Sequence, residues 1–269
     1  MLMTSSPFTI HLEDQKQIPV HVYGSGEQLL IAFHGYDYDG QVFKAWAEDL
    51  GGIYTICAPD LPFHGGARWD ESKFSPKQMV DLIRAIAKHQ GEERFSLSGH
   101  SMGARILVCT ATELAQDVDR FVFLAPAGIG SFDRVLPLWA QRVLEFALAW
   151  PKWLELGVNI GYRLGWVNNF RKRYAEVQLY PADKRNRLFR VYNSLVHLRT
   201  SRPDRIQYWK QNEVDTLVVL AEADRFVPNP KIRAYFARVP RIDWREVSGN
   251  HDLVNTLTAA VVRDAVQKR

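Results

Sequence analysis

Compact apolar runs alternate along the chain with longer stretches in which apolar residues recur every three or four positions. Two short runs open it, PFTIHLE (7–13) and QIPVHVYG (17–24), on either side of a polar turn, and they predict an antiparallel hairpin. Then come LLIAFHG (29–35), GIYTICAPD (52–60), RFSLSGHS (94–101), RFVFLAP (120–126) and TLVVLAEAD (216–224), each ending in Gly, Ser, Pro or Asp, and a short strand within 242–254. Strands covered by helices on both faces have no solvent side to alternate toward and read this way. Helical spacing covers 41–50, 75–90 and 102–117, with Ser75 placed as an N-cap and Pro76 at the first helical position. The alternation predicts an α/β protein with an open, mostly parallel sheet wound by helices. Right-handed crossovers in such sheets put ligand sites at the carboxyl ends of the strands, so the residues just after each strand are the candidates for chemistry.

Residues 131–210 break the rhythm. They hold no convincing strand and several helix-like pieces, such as 134–150 and 183–198, which predicts a helical insertion between two core segments, 1–130 and 211–269. The insertion carries fifteen Lys or Arg against six Asp or Glu, a net +9 in a chain whose total is +4. It also holds fourteen aromatic side chains, which either line a pocket or pack the inserted helices together. Over the whole chain, 269 residues with 46% apolar and 24% charged positions fit one large globular domain. No apolar stretch approaches the roughly 20 residues of a membrane-spanning helix, and the first residues lack the pattern of a secretory signal, so a cytoplasmic location is expected. Cys57 and Cys109 lie within apolar segments and read as buried, reduced thiols, with no spacing that suggests a metal site.

One turn concentrates the chemical signal. Gly99-His100-Ser101-Met102-Gly103 places a serine between two glycines, after a strand run and before a helix. A sharp strand-to-helix turn strains the serine backbone, and side chains at the two glycine positions would collide. The following helix aims its N-terminal N–H groups at any negative charge that forms beside the hydroxyl. A serine hydroxyl needs a base to take its proton, and the base needs a third group to fix its tautomer. Asp224 ends the strand run 216–224 and His251 lies in a Gly-Asn turn after the run at 242. Glu222 competes with Asp224 as the acid, while Asp252 is adjacent to the base. His34 and His64 read as loop-fixing residues, His100 as a packing residue and Asp60 as a turn residue.

With these residues in the order Ser101, Asp224, His251, the sequence resembles the α/β-hydrolase family, in particular its small capped members with a GHSMG nucleophile elbow. LLIAFHGYDYDG resembles the family's oxyanion strand, APDLPFHGGA the next strand and loop, SLSGHSMGA the elbow, LAEADRFVP the acid turn and GNHD the histidine turn. Ala104 and Arg105 follow the elbow where many relatives have another glycine. The resemblance implies an α/β-hydrolase fold with residues 131–210 as a helical cap, and an oxyanion hole made by the backbone N–H groups of Tyr36 and Met102.

The expected chemistry is acyl transfer to water, with Ser101 as nucleophile, His251 as base, Asp224 as the acid that orients it, and neither metal nor organic cofactor. The expected substrate is a small or medium-chain acyl ester. A thioester, a carbon–carbon bond beside a ketone, or a non-catalytic ligand-binding role on the same fold are the alternatives. The partner is then a small apolar molecule, anionic if the basic insertion attracts it. Nucleic acid is not expected, because no recognised motif accompanies the basic residues. The same charge would favour peripheral contact with an anionic membrane, against the plainer reading of a solvated helical surface.

Overall fold

The computed structural model describes residues 6–129, 150–227 and 229–268. Its strands are β1 (Phe8–His11), β2 (Gln17–Tyr23), β3 (Gln28–Phe33), β4 (Tyr54–Pro59), β5 (Phe95–His100), β6 (Val118–Leu124), β7 (Asp215–Ala221) and β8 (Ile242–Val247). They form one sheet in the order β1-β2-β4-β3-β5-β6-β7-β8. β2 runs antiparallel to β1 and β4, and every other pairing is parallel. From β3 the chain steps to one side, to β4, and then returns to the other side, to β5. The strand order therefore reverses at β3 and β5, and the crevice at the carboxyl ends of such a pair is where sheets of this kind bind ligands.

The helices follow from local signals. A 3-10 helix, Gly40–Trp46, starts where the Asp39 side chain accepts from Gln41 N, and runs into the single turn α1 (Ala47–Leu50), so the helix expected at 41–50 is mostly of the tighter kind. Helix α2 (Pro76–Gln90) begins with a full capping box between Ser75 and Gln78 and ends at Gly91 in the left-handed region, φ 78°. Helix α3 (Met102–Thr110) is shorter than the expected 102–117. At its end the Thr110 hydroxyl donates back to Ile106 O and Leu107 O. The chain then closes in three-residue turns, Glu113 N to Thr110 O and Leu114 N to Ala111 O.

Alternating strand residues serve two layers. Leu30, Ala32, Ile56, Ala58, Val122 and Val219 pack with Phe43, Trp46 and Leu50 on one face, joined by Ala259 and Val262 of the last helix, Thr256–Gln267. Phe121 and Phe123 belong to the alternate positions. They meet Trp209 at ring-centroid distances of 5.1 and 5.5 Å, and Phe236 lies 5.5 Å from Trp209.

That cluster corrects the sequence reading of the insertion. The chain divides into two compact units, residues 1–133 with 197–269, and residues 134–196. Residues 197–210, expected within the insertion, therefore belong with the sheet. The reason is Trp209, which is 1% exposed among sheet aromatics and is a core residue. Truncating it to Ala is expected to cost about 3–5 kcal/mol of stability, because a large cavity would open against three rings. Urea unfolding checks this, and a loss under about 1 kcal/mol would show that Trp209 is not a core support.

In the second unit the described helices are α4 (Pro151–Arg163), α5 (Asn169–Gln178) and α6 (Ala182–His197), the last within one residue of the expected 183–198. The helix expected at 134–150 lies outside the described residues apart from Trp150. Among the described residues no helix is long and apolar enough to cross a membrane.

Candidate active site

Ser101 is the junction between β5 and α3, with φ 51° and ψ −108°. A non-glycine residue in this region is strained, and the neighbours hold it there. Its N–H donates to Leu124 O, and its carbonyl accepts from Ala127 N and from Arg105 N. The two glycines are steric requirements. A Cβ on Gly99 would stand 2.6 Å from Ala104 N, and one on Gly103 would stand 2.3 Å from Phe33 O, both inside contact distance with backbone. Close packing of β5, α3 and β3 thus leaves Ser101 in the turn at the head of a helix, where the first N–H groups have no partner within the helix.

The other two residues arrive on the loops after β7 and β8. Backbone bonds tie these loops together: Glu222 N donates to Val247 O and Ala223 N to Gly249 O. His251 Nε2 lies 2.8 Å from Ser101 Oγ, and His251 Nδ1 lies 2.7 Å from Asp224 Oδ2. A carboxylate only accepts, so Nδ1 carries the proton and Nε2 presents its lone pair to the serine hydroxyl. The second oxygen of Asp224 accepts from Phe226 N at 2.7 Å and Val227 N at 2.9 Å. Burial of Asp224 would raise its pKa, but the hydrogen bonds and charge of His251 and the two backbone N–H groups outweigh it and hold the pKa below the ordinary value. Glu222 is exposed, and Asp224 takes the position against His251.

Three further residues hold this arrangement, and of these the sequence singles out His100 alone, as a packing residue. His100 is buried, and its Nε2–H donates to the carbonyl of His251 at 2.8 Å, so the residue before the serine anchors the histidine turn. Tyr38 donates to Asp252 Oδ1 at 2.6 Å, which ties the loop after β3 to the residue after His251. The ring of Phe226 lies 5.2 Å from that of His251 on another side. None of these contacts has a local sequence signal, since the partners of His100 and Tyr38 are 151 and 214 residues away.

His34 closes the loop after β3. It is fully buried, accepts from Leu61 N at 2.9 Å through Nε2 and donates from Nδ1 to Gly35 O at 2.7 Å. Burial and the neighbouring histidines keep it well below the ordinary histidine pKa. A Cβ on Gly35 would stand 2.7 Å from His100 Nδ1 and 3.3 Å from Ser101 Cβ, so the backbone of this loop abuts the serine turn. Tyr36 follows Gly35 there, and Met102 is the first residue of α3. Asp60 accepts from Gly40 N and Gly66 N, at 2.9 and 2.8 Å, and organises the loop after β4.

His100 makes a pH prediction. Burial first, and the charge of His251 second, lower its pKa to about 4. As pH falls, the unfolded chain takes up this proton near the ordinary value of about 6.5, whereas the folded protein does not until about 4. Stability should therefore decline through that window, with His100 contributing about 3 kcal/mol of the loss. Urea midpoints measured across it should fall less steeply for His100→Asn than for the wild type. Equal slopes would show that His100 is not kept neutral by the fold.

The model of the α/β hydrolase family matches residues 29–265, and the chain belongs to that family. Its sheet and flanking helices are the α/β-hydrolase fold. A thermophilic esterase from Thermogutta terrifontis superimposes with a TM-score of 0.71 over 98% of this chain and 99% of that one, at 16% identity, a likeness of fold. Over 164 residues the chain is 30% identical to the dihydrolipoyllysine-residue acetyltransferase component of the acetoin cleaving system of Cupriavidus necator, covering 60% of this chain and 37% of that protein. It is 25% identical over 142 residues to the pimeloyl-[acyl-carrier protein] methyl ester esterase of Salmonella heidelberg, 47% of this chain and 54% of the other. The matched stretches thus span less than two thirds of both curated relatives.

Proposed function

We propose that this protein is a serine hydrolase of small or medium-chain acyl esters that works through an acyl-enzyme. The observation that carries the reading is the hydrogen-bonded series Ser101 Oγ, His251 Nε2 and Nδ1, Asp224 Oδ2, with steps of 2.8 and 2.7 Å, set at a strained turn that opens a helix. His251 takes the hydroxyl proton as Ser101 Oγ attacks the ester carbonyl. Asp224 stabilises the imidazolium without taking the proton. The oxyanion sits between the backbone N–H groups of Tyr36 and Met102, a placement favoured by the contact of the Gly35 backbone with the Ser101 turn. The imidazolium then gives its proton to the leaving alcohol. Water, deprotonated by the same histidine, releases the acid and restores the serine.

Among the relatives, the esterase of S. heidelberg speaks by its name for an ester substrate. The unit of residues 134–196 is the substrate-selecting cap in this reading, in keeping with its insertion between β6 and β7. The test is a panel of acyl esters of increasing chain length, the matching thioesters and a β-diketone, assayed with wild type and with His251→Ala. Sustained, His251-dependent turnover led by the esters is expected. Preference for thioesters or the diketone would move the protein to those chemistries. Binding without turnover would make it a ligand-binding member of the family.

A further inference from the structure

Helix α4 carries two apolar faces, and folding covers one of them. Leu154 and Val158 are half-buried and Gly161 is buried. At about 100° per residue, Trp153, Leu156, Ile160 and Leu164 fall on a separate arc of roughly 80° and stay exposed. Trp153 is 62% exposed and Trp166, just beyond the helix, 74%. Solvated helix surfaces do not need such a stripe, and contiguous exposed apolar patches mark interaction sites.

Trp166 is also held in place. Gly165 takes the left-handed conformation at φ 75° and donates to Tyr162 O, while Trp166 N donates to Gly161 O, the two bonds of a Schellman cap. In that motif the residue in the Trp166 position usually packs its side chain on the residue in the Gly161 position. Glycine offers no side chain there, and the indole stays 74% exposed on a backbone that the cap fixes. Ordering such a group on contact costs little, because the backbone is already set.

The charge around this stripe selects its partner. Lys152 and Arg163 are exposed and lie on one edge of the arc, and Arg173 is exposed on the adjoining α5. Residues 150–196 hold nine Lys or Arg against three Asp or Glu, a net +6. The acidic residue of α4, Glu155, falls about 140° from the centre of the stripe. A second copy of the chain would bring the same positive charges against themselves. An apolar stripe with indoles and a cationic border matches the interface of an anionic bilayer, where the rings sit at headgroup depth and the cations meet phosphate.

We propose that the second unit docks on anionic phospholipid surfaces through this face of α4, with Trp153 and Trp166 inserted and Lys152 and Arg163 on lipid phosphate. Docking is read without turnover, so it stands or falls independently of the chemistry at Ser101. Vesicles of equal parts phosphatidylglycerol and phosphatidylcholine should retain the full chain, and vesicles of phosphatidylcholine alone should retain it much less. Trp153→Ser combined with Trp166→Ser should weaken retention by roughly 10- to 100-fold while leaving the melting temperature in place, since both side chains are exposed. Lys152→Ser with Arg163→Ser should weaken it on the anionic vesicles only. Leu257→Ser, at an exposed apolar position of the sheet unit, should change nothing. The proposal is overturned by an absence of retention, by retention that survives loss of both indoles, or by sedimentation showing that the face joins two copies of the chain.

Discussion

Ser101→Ala should lower kcat for acyl esters by roughly 10⁴- to 10⁶-fold, the largest effect expected of any single substitution in this chain. In the proposed mechanism the hydroxyl forms the bond to the acyl group, and no other nucleophile stands within hydrogen-bond distance of His251 Nε2 among the described contacts. The fold should persist. The turn is held by backbone bonds from Ser101 N to Leu124 O and from Ala127 N to Ser101 O, which Ala keeps. Thermal unfolding of the variant should match the wild type within a few degrees. Activity within about tenfold of wild type in a correctly folded variant would remove Ser101 from the chemistry.

Asp224→Asn should come next, at roughly 10⁴-fold in kcat, and the geometry gives the reason. One oxygen of Asp224 accepts two backbone N–H groups, from Phe226 and Val227. Asn satisfies them only by turning its carbonyl oxygen that way, which leaves its NH₂ facing His251 Nδ1. Two donors cannot face each other, so the imidazole must move its proton to Nε2, the atom that should receive the proton of Ser101. The loop survives while the base is in the wrong tautomer. Glu222→Gln, at an exposed position, should change kcat by less than about threefold, because its carboxylate is not the one held against His251. Combining Asp224→Asn with Ser101→Ala should add almost nothing to the loss from Ser101→Ala, since groups that act as a unit are not additive. If Glu222→Gln is the more damaging change, the acid has been misassigned. Because the fold lowers the pKa of Asp224, it stays ionised as pH falls through the usual carboxylate range. Its contribution to stability is present above the unfolded value and is lost only as pH drops through the lower folded one.

The residues now grouped at the site were legible to different degrees. Ser101 announces itself because a strained turn needs glycine on both sides, and the clashes a Cβ would make at Gly99 and Gly103 are that need in coordinates. Asp224 and His251 were readable as polar residues at strand ends, and the sheet order places those ends side by side, β7 next to β8. His100, Tyr38 and Phe226 gave no such signal, because what they do depends on partners brought near only by the folded sheet. The end of the insertion is hidden from the sequence for a similar reason. Pro203–Gln211 has the pattern of any amphipathic helix, and only the packing of Trp209 on Phe121 and Phe123 assigns it to the sheet unit. The end of α3 is not legible because Thr110 competes for its own helix's carbonyls, an effect that apolar periodicity does not register.

The most direct test of the central claim is to trap the acyl-enzyme. Rapid quenching of the protein with an activated acyl ester, followed by intact-mass and peptide analysis, should show one acyl group per chain on the peptide that contains Ser101. The adduct should form in a burst and disappear at the steady-state rate, and it should be absent from Ser101→Ala. A burst whose adduct lies on another residue, or turnover with no adduct and no dependence on Ser101, would contradict the account.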